Sequence, residues 1–291
     1  MERKKNRLID QNILERLPVR KNRSNKGTYG KVLCVAGSLN MAGAAYLCAW
    51  AAYRSGAGLV RILTPKENRV ILQTLLPEAL LTTFDTEAPD QEKLREAFAW
   101  ADAAAVGPGL GREPWAGELT RMAMEEFQKL LVLDADGLNH LSGRMELFKD
   151  RKGPLILTPH PGEFGRLTGQ SIPEVTEDIP GQAARFAEKY ECICVLKDAP
   201  TAVGTPSGAV YVNTTGNHGM STGGSGDVLT GIIAGLLAQK TKPLDAALLG
   251  VWLHGRAGDL AAGREGTYGL MARHLVEYLP GAVENRGTAG L

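Results

Sequence analysis

The feature that most constrains the fold is an alternation of short apolar runs with longer segments of helical pattern. Buried strands are predicted by apolar runs at residues 32–36, 60–64, 103–106, 130–133, 155–158 and 193–197. Helices are predicted between them at residues 42–54, 91–100, 114–127, 163–167 and 181–190. Strands that alternate with helices indicate an α/β fold, in which a mostly parallel sheet lies between two helical layers.

The C-terminal third of the chain continues this pattern with one hairpin. Residues 201–203 and 209–212 flank the turn Pro206-Ser207-Gly208 and predict two antiparallel strands. Further helices are predicted at residues 227–238, 244–262 and 270–279. No linker or repeat divides the chain, so we predict a single domain over residues 26–291, preceded by a lead-in over residues 1–25.

The lead-in is the most basic part of the chain. Residues 1–26 hold nine Lys or Arg and three Asp or Glu, whereas the whole chain has a net charge of only +1. A balanced chain is not typical of a nucleic-acid-binding protein. We therefore expect a solvated lead-in with helical character near residues 13–17, and contact with a polyanion is the alternative.

The cysteines and the apolar runs indicate the cellular compartment of the protein. The four cysteines, Cys34, Cys48, Cys192 and Cys194, lack zinc spacing and are expected to be buried free thiols. No apolar run reaches the ~20 residues of a membrane span, and no hydrophobic signal core follows the N-terminus. The sequence therefore predicts a cytoplasmic protein with neither a membrane nor a nucleic acid as partner.

The strongest local signal is the glycine-dense segment at residues 216–226, in a chain with 35 glycines. Glycines at 223, 224 and 226 would let backbone amides approach a ligand, and the following helix start favours an anion by only ~0.3–2 kcal/mol. A metal ion or basic side chains should therefore assist. Asp227 either complements the helix dipole or acts as a general base on an attacking hydroxyl.

Three better-known motifs are excluded. Gly219-Met220-Ser221-Thr222-Gly223 matches the serine-hydrolase elbow, but turn-like residues replace the strand that the elbow requires. Neither a Walker-type phosphate loop nor the Rossmann pattern GxGxxG is present, and residues 107–111 predict only a tight strand-to-helix turn.

Several polar residues follow predicted strands, whose carboxyl ends carry the ligand site in such sheets. His160 is expected to contact a ligand. Glu163 either orients water around Mg²⁺ or favours a helix start, and Lys197 either pairs with phosphate or is solvated. Asp134 and Asp136 have similar alternatives, since Asp136 is a natural N-cap.

The motifs together resemble the ADP/ATP-dependent NAD(P)H-hydrate dehydratase family of the ribokinase-like superfamily. The resemblance covers residues 26–280 and depends on segments at residues 26–31, 36–38, 43–45, 107–111, 133–138, 157–163, 195–198 and 223–227. The most specific pair is His160-Pro161-Gly162-Glu163 with Gly223-Gly224-Ser225-Gly226-Asp227.

The resemblance implies an activity and a set of site residues. It implies dehydration of hydrated NADH or NADPH, coupled to cleavage of ADP or ATP with Mg²⁺. Contacts to the hydrated dinucleotide are implied for Ala44, Gly109, His160 and Asp227, with Asp227 as catalytic base. Contacts to the adenine nucleotide are implied for Lys197, Asp198, Ala199, Pro200, Thr201 and Gly226. The anion hole would comprise Gly224, Ser225 and Gly226, and Glu163 would reach a metal through water.

The sequence departs from the usual family pattern at His218, Ser221, Ser225 and Asp198. The resemblance also implies a homo-oligomer, often a tetramer. Only about 25 residues precede the match, so we expect the epimerase domain of many relatives to be absent and a separate epimerase to act alongside. The alternatives are a ribokinase-like kinase for a vitamin-type alcohol and a non-catalytic nucleotide-binding module.

Overall fold

The structure is a computed structural model that describes residues 6–284. Within these residues, one sheet contains the strands β1 (Arg7–Ile9), β2 (Lys31–Val35), β3 (Leu59–Pro65), β4 (Leu80–Phe84), β5 (Ala103–Val106), β6 (Leu130–Leu133), β7 (Leu155–Leu157), β8 (Ile193–Leu196), β9 (Thr201–Gly204) and β10 (Val210–Asn213). Their order across the sheet is β1-β10-β9-β8-β7-β6-β5-β2-β3-β4.

Most of the sheet is parallel, as predicted. The strands from β8 to β4 in this order all run in one direction, and β9 is antiparallel to both of its neighbours. The predicted hairpin is β9 with β10. Because the carboxyl ends of β2, β5, β6, β7 and β8 meet at one edge, the loops that follow them can form a common site.

Helices cover both faces of the sheet. They are α1 (Ala42–Arg54), α2 (Arg69–Leu75), α3 (Gln91–Trp100), α4 (Pro114–Glu125), α5 (Ala135–Leu141), α6 (Leu147–Asp150), α7 (Pro161–Thr168), α8 (Ile172–Thr176), α9 (Ile179–Lys189), α10 (Ser225–Ala238), α11 (Pro243–Glu265) and α12 (Ala272–Glu284). Within residues 6–284, none of them combines the length and the apolar character that a membrane crossing requires.

The two helical layers enclose two apolar cores, one on each face of the sheet. Along β2, Val32 and Cys34 face the core formed with α1, α10, α11 and α12. Leu33 and Val35 face the opposite core, which includes α3, α4 and α9, because successive side chains of a strand point to opposite faces. The predicted three-layer α/β fold and the four buried thiols are confirmed.

The largest difference from the sequence prediction lies in the basic lead-in. Arg7–Ile9 forms strand β1 and pairs with β10 at the sheet edge, and Gln11–Arg16 forms a 3₁₀ helix. Ile13 and Leu14 are buried in the core, and Arg16 pairs with Asp245. The expectation of a solvated lead-in is therefore wrong for Ile9, Ile13 and Leu14, since burial of these three aliphatic side chains favours docking over solvation, whereas the other residues of 7–16 remain exposed.

Candidate active site

A cleft of about 1070 Å³ opens at the carboxyl edge of the parallel strands. Its walls come from the loops after β6, β7, β8 and β10, from the start of α10 and from α11. The structure brings most of the sequence-predicted site residues together here, namely His160, Glu163, Lys197, Asp198, Ala199, Pro200, Thr201, Ser225, Gly226 and Asp227.

The floor of the cleft is a buried ion pair between Lys197 and Asp134. Lys197 Nζ lies 2.8 Å from Asp134 Oδ1, and Thr230 donates to Asp134 Oδ2 at 2.7 Å. Burial alone would raise the pKa of Asp134, but the charge of Lys197 together with the hydrogen bonds from Lys197, Thr230 and Thr158 outweighs it and holds the pKa below its usual value. Lys197 is thus a fixed positive charge at the end of β8 and not a solvated lysine.

Asp227 lies in the first turn of α10 and lines the cleft beside this ion pair. Burial raises the pKa of Asp227 to about 7, and the negative charge of Asp134 adds to the effect. The positive charge of Lys197 opposes it only in part. A carboxyl group with a pKa near 7 can accept a proton at neutral pH and release it again, which suits a general base.

The start of α10 presents unused backbone donors to the cleft. The helix begins at Ser225 and not at residue 227, because Gly224 adopts a left-handed conformation with φ 91° and turns the chain. The Ser225 N–H donates to Thr222 O at 3.3 Å. Among residues 6–284, the N–H groups of Gly224, Gly226 and Asp227 have no hydrogen-bond acceptor, so they are available to an anion.

The loop after β7 is held by hydrogen bonds between His160 and Glu163. Glu163 Oε2 accepts from the His160 backbone N–H at 2.9 Å, and the Gly162 N–H donates to His160 Nδ1 at 3.0 Å. The ring therefore carries its proton on Nε2, which lies 3.2 Å from Glu163 Oε1. The predicted role of Glu163 at a helix start is confirmed, since these bonds form a capping box on α7.

Ala44 and Gly109 lie outside this cleft but contact each other. A Cβ atom placed on Gly109 would lie 2.7 Å from the Ala44 Cβ. Leu47, one turn further along α1, contacts Gly224, where an added Cβ would lie 2.5 Å from its Cδ1. The first two turns of α1 thus connect the Gly109 loop with the start of α10.

Asp136 has a different role from the predicted N-cap. Helix α5 begins at Ala135 with Asp134 in the cap position, so Asp136 lies inside the first turn. Its Oδ2 accepts from the Gly111 N–H at 2.9 Å. The N-cap expectation is wrong because the chain turns two residues earlier, and the carboxylate instead fixes the loop after β5.

The loop after β8 forms the rim of the cleft. Asp198 Oδ1 accepts from the Ala199 N–H at 2.8 Å, and Thr201 Oγ1 donates to the Asp198 carbonyl at 3.0 Å. Asp198, Ala199 and Pro200 are exposed beside the floor of the cleft. Their position gives a ligand direct access to Lys197.

Two polar residues of α11, His254 and Asp259, were not predicted from the sequence. His254 lines the cleft with Nε2 2.9 Å from the Ser225 carbonyl oxygen. The carboxylate of Asp259 accepts from the Gly216 N–H at 3.0 Å and from Asn217 Nδ2 at 3.1 Å, and so fixes the loop after β10. The available signal was a single histidine directly after the apolar run at residues 246–253 of a predicted helix.

Comparison with known proteins identifies the family. A family model described as NAD(P)H-hydrate dehydratase matches residues 32–281. The chain belongs to the NAD(P)H-hydrate dehydratase family. The bifunctional NAD(P)H-hydrate repair enzyme of Moorella thermoacetica is 43% identical over 277 residues, which cover 92% of this chain and 52% of that enzyme. The chain thus spans about half the length of the curated relatives that it matches.

Two solved structures are similar to this chain over nearly its whole length. The ADP/ATP-dependent NAD(P)H-hydrate dehydratase from Bacillus subtilis, co-crystallised with ATP and Mg²⁺, is 33% identical with a TM-score of 0.84. The match covers 95% of this chain and 97% of that one. A ribokinase-like superfamily protein from Enterococcus faecalis is 30% identical with a TM-score of 0.84, and the match covers 95% of each chain. The predicted ribokinase-like fold is confirmed.

Proposed function

We propose that the protein dehydrates hydrated NADH or NADPH to the reduced cofactor and couples this reaction to cleavage of ADP, or alternatively of ATP. The observation that carries the proposal is the position of Asp227. The Asp227 carboxyl group has a pKa near 7 and lies in the same cleft as the unused amides at the start of α10 and the fixed charge of Lys197. A base, an anion site and a cation together suit phosphoryl transfer to a hydroxyl group.

In the first step, the hydroxyl group of the hydrated nicotinamide ring is phosphorylated. Asp227 takes the proton from the hydroxyl group of the hydrated nicotinamide ring, and the ring oxygen attacks the terminal phosphorus of the nucleotide. The bond from that phosphorus to the bridging oxygen breaks, so ADP leaves as AMP. The amides of Gly224 and Gly226, at the turn that includes Ser225, stabilise the charge that develops on the phosphoryl oxygens.

The second step restores the cofactor. Phosphate leaves from the ring carbon, and the neighbouring ring carbon loses a proton as the double bond forms. The sum is hydrated cofactor plus ADP giving reduced cofactor, AMP and phosphate. Phosphorylation is needed because phosphate is a much better leaving group than hydroxide.

We assign the nucleotide to the rim of the cleft and the dinucleotide to the side of α1. Contacts to ADP come from Lys197 at the floor, from Gly226 and from the rim residues Asp198, Ala199, Pro200 and Thr201. The hydrated dinucleotide contacts Asp227 and His160 and extends past Gly224 to Ala44 and Gly109. The contact of Leu47 with Gly224 supports this direction, since α1 joins the two places.

A magnesium ion fits this cleft only as part of a nucleotide complex. Within residues 6–284, no three His, Cys, Asp or Glu side chains are grouped to hold a metal. Both carboxylate oxygens of Glu163 already contact His160, so Glu163 would reach the ion through water. Bound by phosphates and waters, Mg²⁺ would neutralise charge on the transferred group.

The broader setting is also proposed. We place the enzyme in the cytoplasm, acting with a separate epimerase and assembled as a homotetramer. An exposed apolar face on α2, formed by Val70, Ile71 and Leu75, supports an oligomer because such a face is costly to leave in water.

The test mixes the protein with hydrated NADH, Mg²⁺ and either ADP or ATP. We expect the absorbance of reduced nicotinamide to recover only with nucleotide, and the faster nucleotide identifies the co-substrate. A ribokinase-like kinase would instead accumulate a phosphorylated metabolite, and a binding module would bind nucleotide without turnover. Either result would overturn the proposal.

A further inference from the structure

His254 is a half-buried polar group for which the proposed mechanism has no role. It projects from the middle of α11 into the cleft, directly after the buried residues Val251, Trp252 and Leu253. Its Nε2 lies 2.9 Å from the Ser225 carbonyl oxygen and 3.3 Å from Ser225 Oγ. The ring thus contacts the residue with which α10 begins.

The acceptor determines the protonation of this ring. A carbonyl oxygen can only accept a hydrogen bond, so Nε2 of His254 must carry the proton. Burial lowers the pKa of His254 to about 4, and the ring is therefore neutral at physiological pH. With Nε2 bound to the backbone, His254 supplies a fixed hydrogen-bond donor rather than a charge or an exchangeable proton.

The geometry of the peptide unit transmits this contact to the anion site. The Ser225 carbonyl and the Gly226 N–H belong to one planar peptide and point in opposite directions. A bond that holds the carbonyl therefore also fixes the direction of the N–H, which has no acceptor among residues 6–284. Polarisation through the peptide makes that N–H a stronger donor.

We propose that His254 is a positioning residue for the anion site. It holds the Ser225 carbonyl so that the Gly226 N–H points at the terminal phosphate of the nucleotide. This inference rests on the proposed function for the identity of the anion. It assigns to α11 a role in phosphate binding, although His254 does not touch the phosphate.

The test compares ADP with AMP, which lacks the terminal phosphate. His254→Leu removes the donor, and we expect the dissociation constant for ADP to rise about threefold to tenfold. The dissociation constant for AMP should stay within about twofold. His254→Gln should restore ADP binding, because its amide can reach the same carbonyl. Titration calorimetry measures the dissociation constants of both nucleotides for the wild type and for each variant.

A matched control is His274→Leu, which makes the same substitution on the neighbouring helix α12. His274 Nδ1 accepts from the Met271 N–H and does not line the cleft. This variant should bind ADP and AMP as the wild type does. Equal weakening of ADP and AMP by His254→Leu, or unchanged ADP binding, would overturn the positioning role.

A second pair keeps the test decisive if His254→Leu fails to fold. His254→Asn carries the same amide as His254→Gln on a side chain one carbon shorter, so only Gln reaches the carbonyl. Equal ADP affinity of the two variants would overturn the proposal. Wild-type protein that binds ADP but never dehydrates the hydrated cofactor refutes the proposed function alone, since the ADP-to-AMP comparison measures the positioning role without turnover.

Discussion

Two glycine-rich turns at the same edge of the sheet need their glycines for different reasons. In the turn after β5, a Cβ on Gly107 would lie 1.8 Å from the Asp134 carbonyl oxygen. In the turn before α10, a Cβ on Gly223 would meet no atom within 4 Å among residues 6–284, apart from its chain neighbours. Gly107 is thus packed against protein, whereas Gly223 is open to solvent. Of the two glycines that follow it, Gly224 packs against Leu47 and Gly226 lines the cleft.

The difference shows that the glycine content of a turn does not by itself indicate whether the turn packs against protein or binds a ligand. Both turns look alike in sequence, yet the turn before α10 presents free amides beside a carboxyl group whose pKa is raised to about 7. We therefore expect substitution of Gly107 to lower stability, and substitution of Gly226 or Asp227 to lower nucleotide binding or activity.

The largest effect is expected at the cleft-facing turn. Asp227→Asn should keep the fold and lower kcat by about 10²–10⁴, because an amide cannot accept the hydroxyl proton. Steady-state assays with hydrated NADH and ADP measure this loss. Asp136→Asn is the matched control, since this carboxylate binds the Gly111 N–H in the packed turn and should change kcat by less than about tenfold. Wild-type-like turnover of Asp227→Asn would refute the assigned base.

A substitution at Gly107, in the turn after β5, should lower the free energy of unfolding. Gly107→Ala combines the 1.8 Å clash with a backbone φ of 129°, so we expect a loss of about 2–5 kcal/mol in the free energy of unfolding. Gly223→Ala should change it by less than about 1 kcal/mol. Urea denaturation compares the two variants, and equal stability would remove the distinction between the turns.

Nucleotide affinity tests the cleft-facing turn in a second way. A Cβ on Gly226 would lie 3.2 Å from Lys197 Nζ and 3.5 Å from Asp134 Oδ2. We expect Gly226→Val to weaken ADP binding by about tenfold to hundredfold, since the bulk displaces phosphate from the amides. Unchanged affinity in calorimetry would contradict the anion site.

The smallest effect concerns pH and stability. Burial raises the pKa of Asp227 to about 7 in the folded protein, against an ordinary value of 3.8, so the folded state holds its proton more tightly. Relative to a protein in which Asp227 is ionised, the protonated carboxyl group stabilises the folded state. This contribution is complete below about pH 4 and is lost as the pH rises through 7. Asp227→Asn should therefore unfold at a higher Tm than the wild type at pH 8 and by a smaller margin at pH 5. A margin independent of pH would argue against the raised pKa.

The sequence predicted the central sheet better than its margins. The parallel strands β2, β3, β5, β6, β7 and β8 were predictable because their runs are apolar and bounded by turns. Strand β4 and helix α2 were not predicted. In β4, Thr82 and Thr83 interrupt the apolar pattern, and α2 leaves Val70 and Ile71 exposed. Docking of residues 7–16 depends on distant partners such as Asp245, which no local pattern reveals.

The candidate site was predictable where a motif follows a strand. Lys197 was singled out in this way and Asp227 by the glycine-dense segment before a predicted helix, whereas the ion pair of Lys197 with Asp134 joins residues 63 positions apart. His254 was missed because its partner Ser225 lies 29 residues away in the chain and the contact is to a backbone oxygen. Such contacts require the packing of α10 against α11.

The most direct test of the account follows one oxygen atom. Hydrated NADH carrying ¹⁸O in its ring hydroxyl is mixed with the protein, ADP and Mg²⁺, and the products are analysed by mass spectrometry. We expect NADH and AMP in equal amounts, with the label in free phosphate. Label released as water, or retained in a phosphorylated nicotinamide product, would contradict dehydration through a phosphorylated ring.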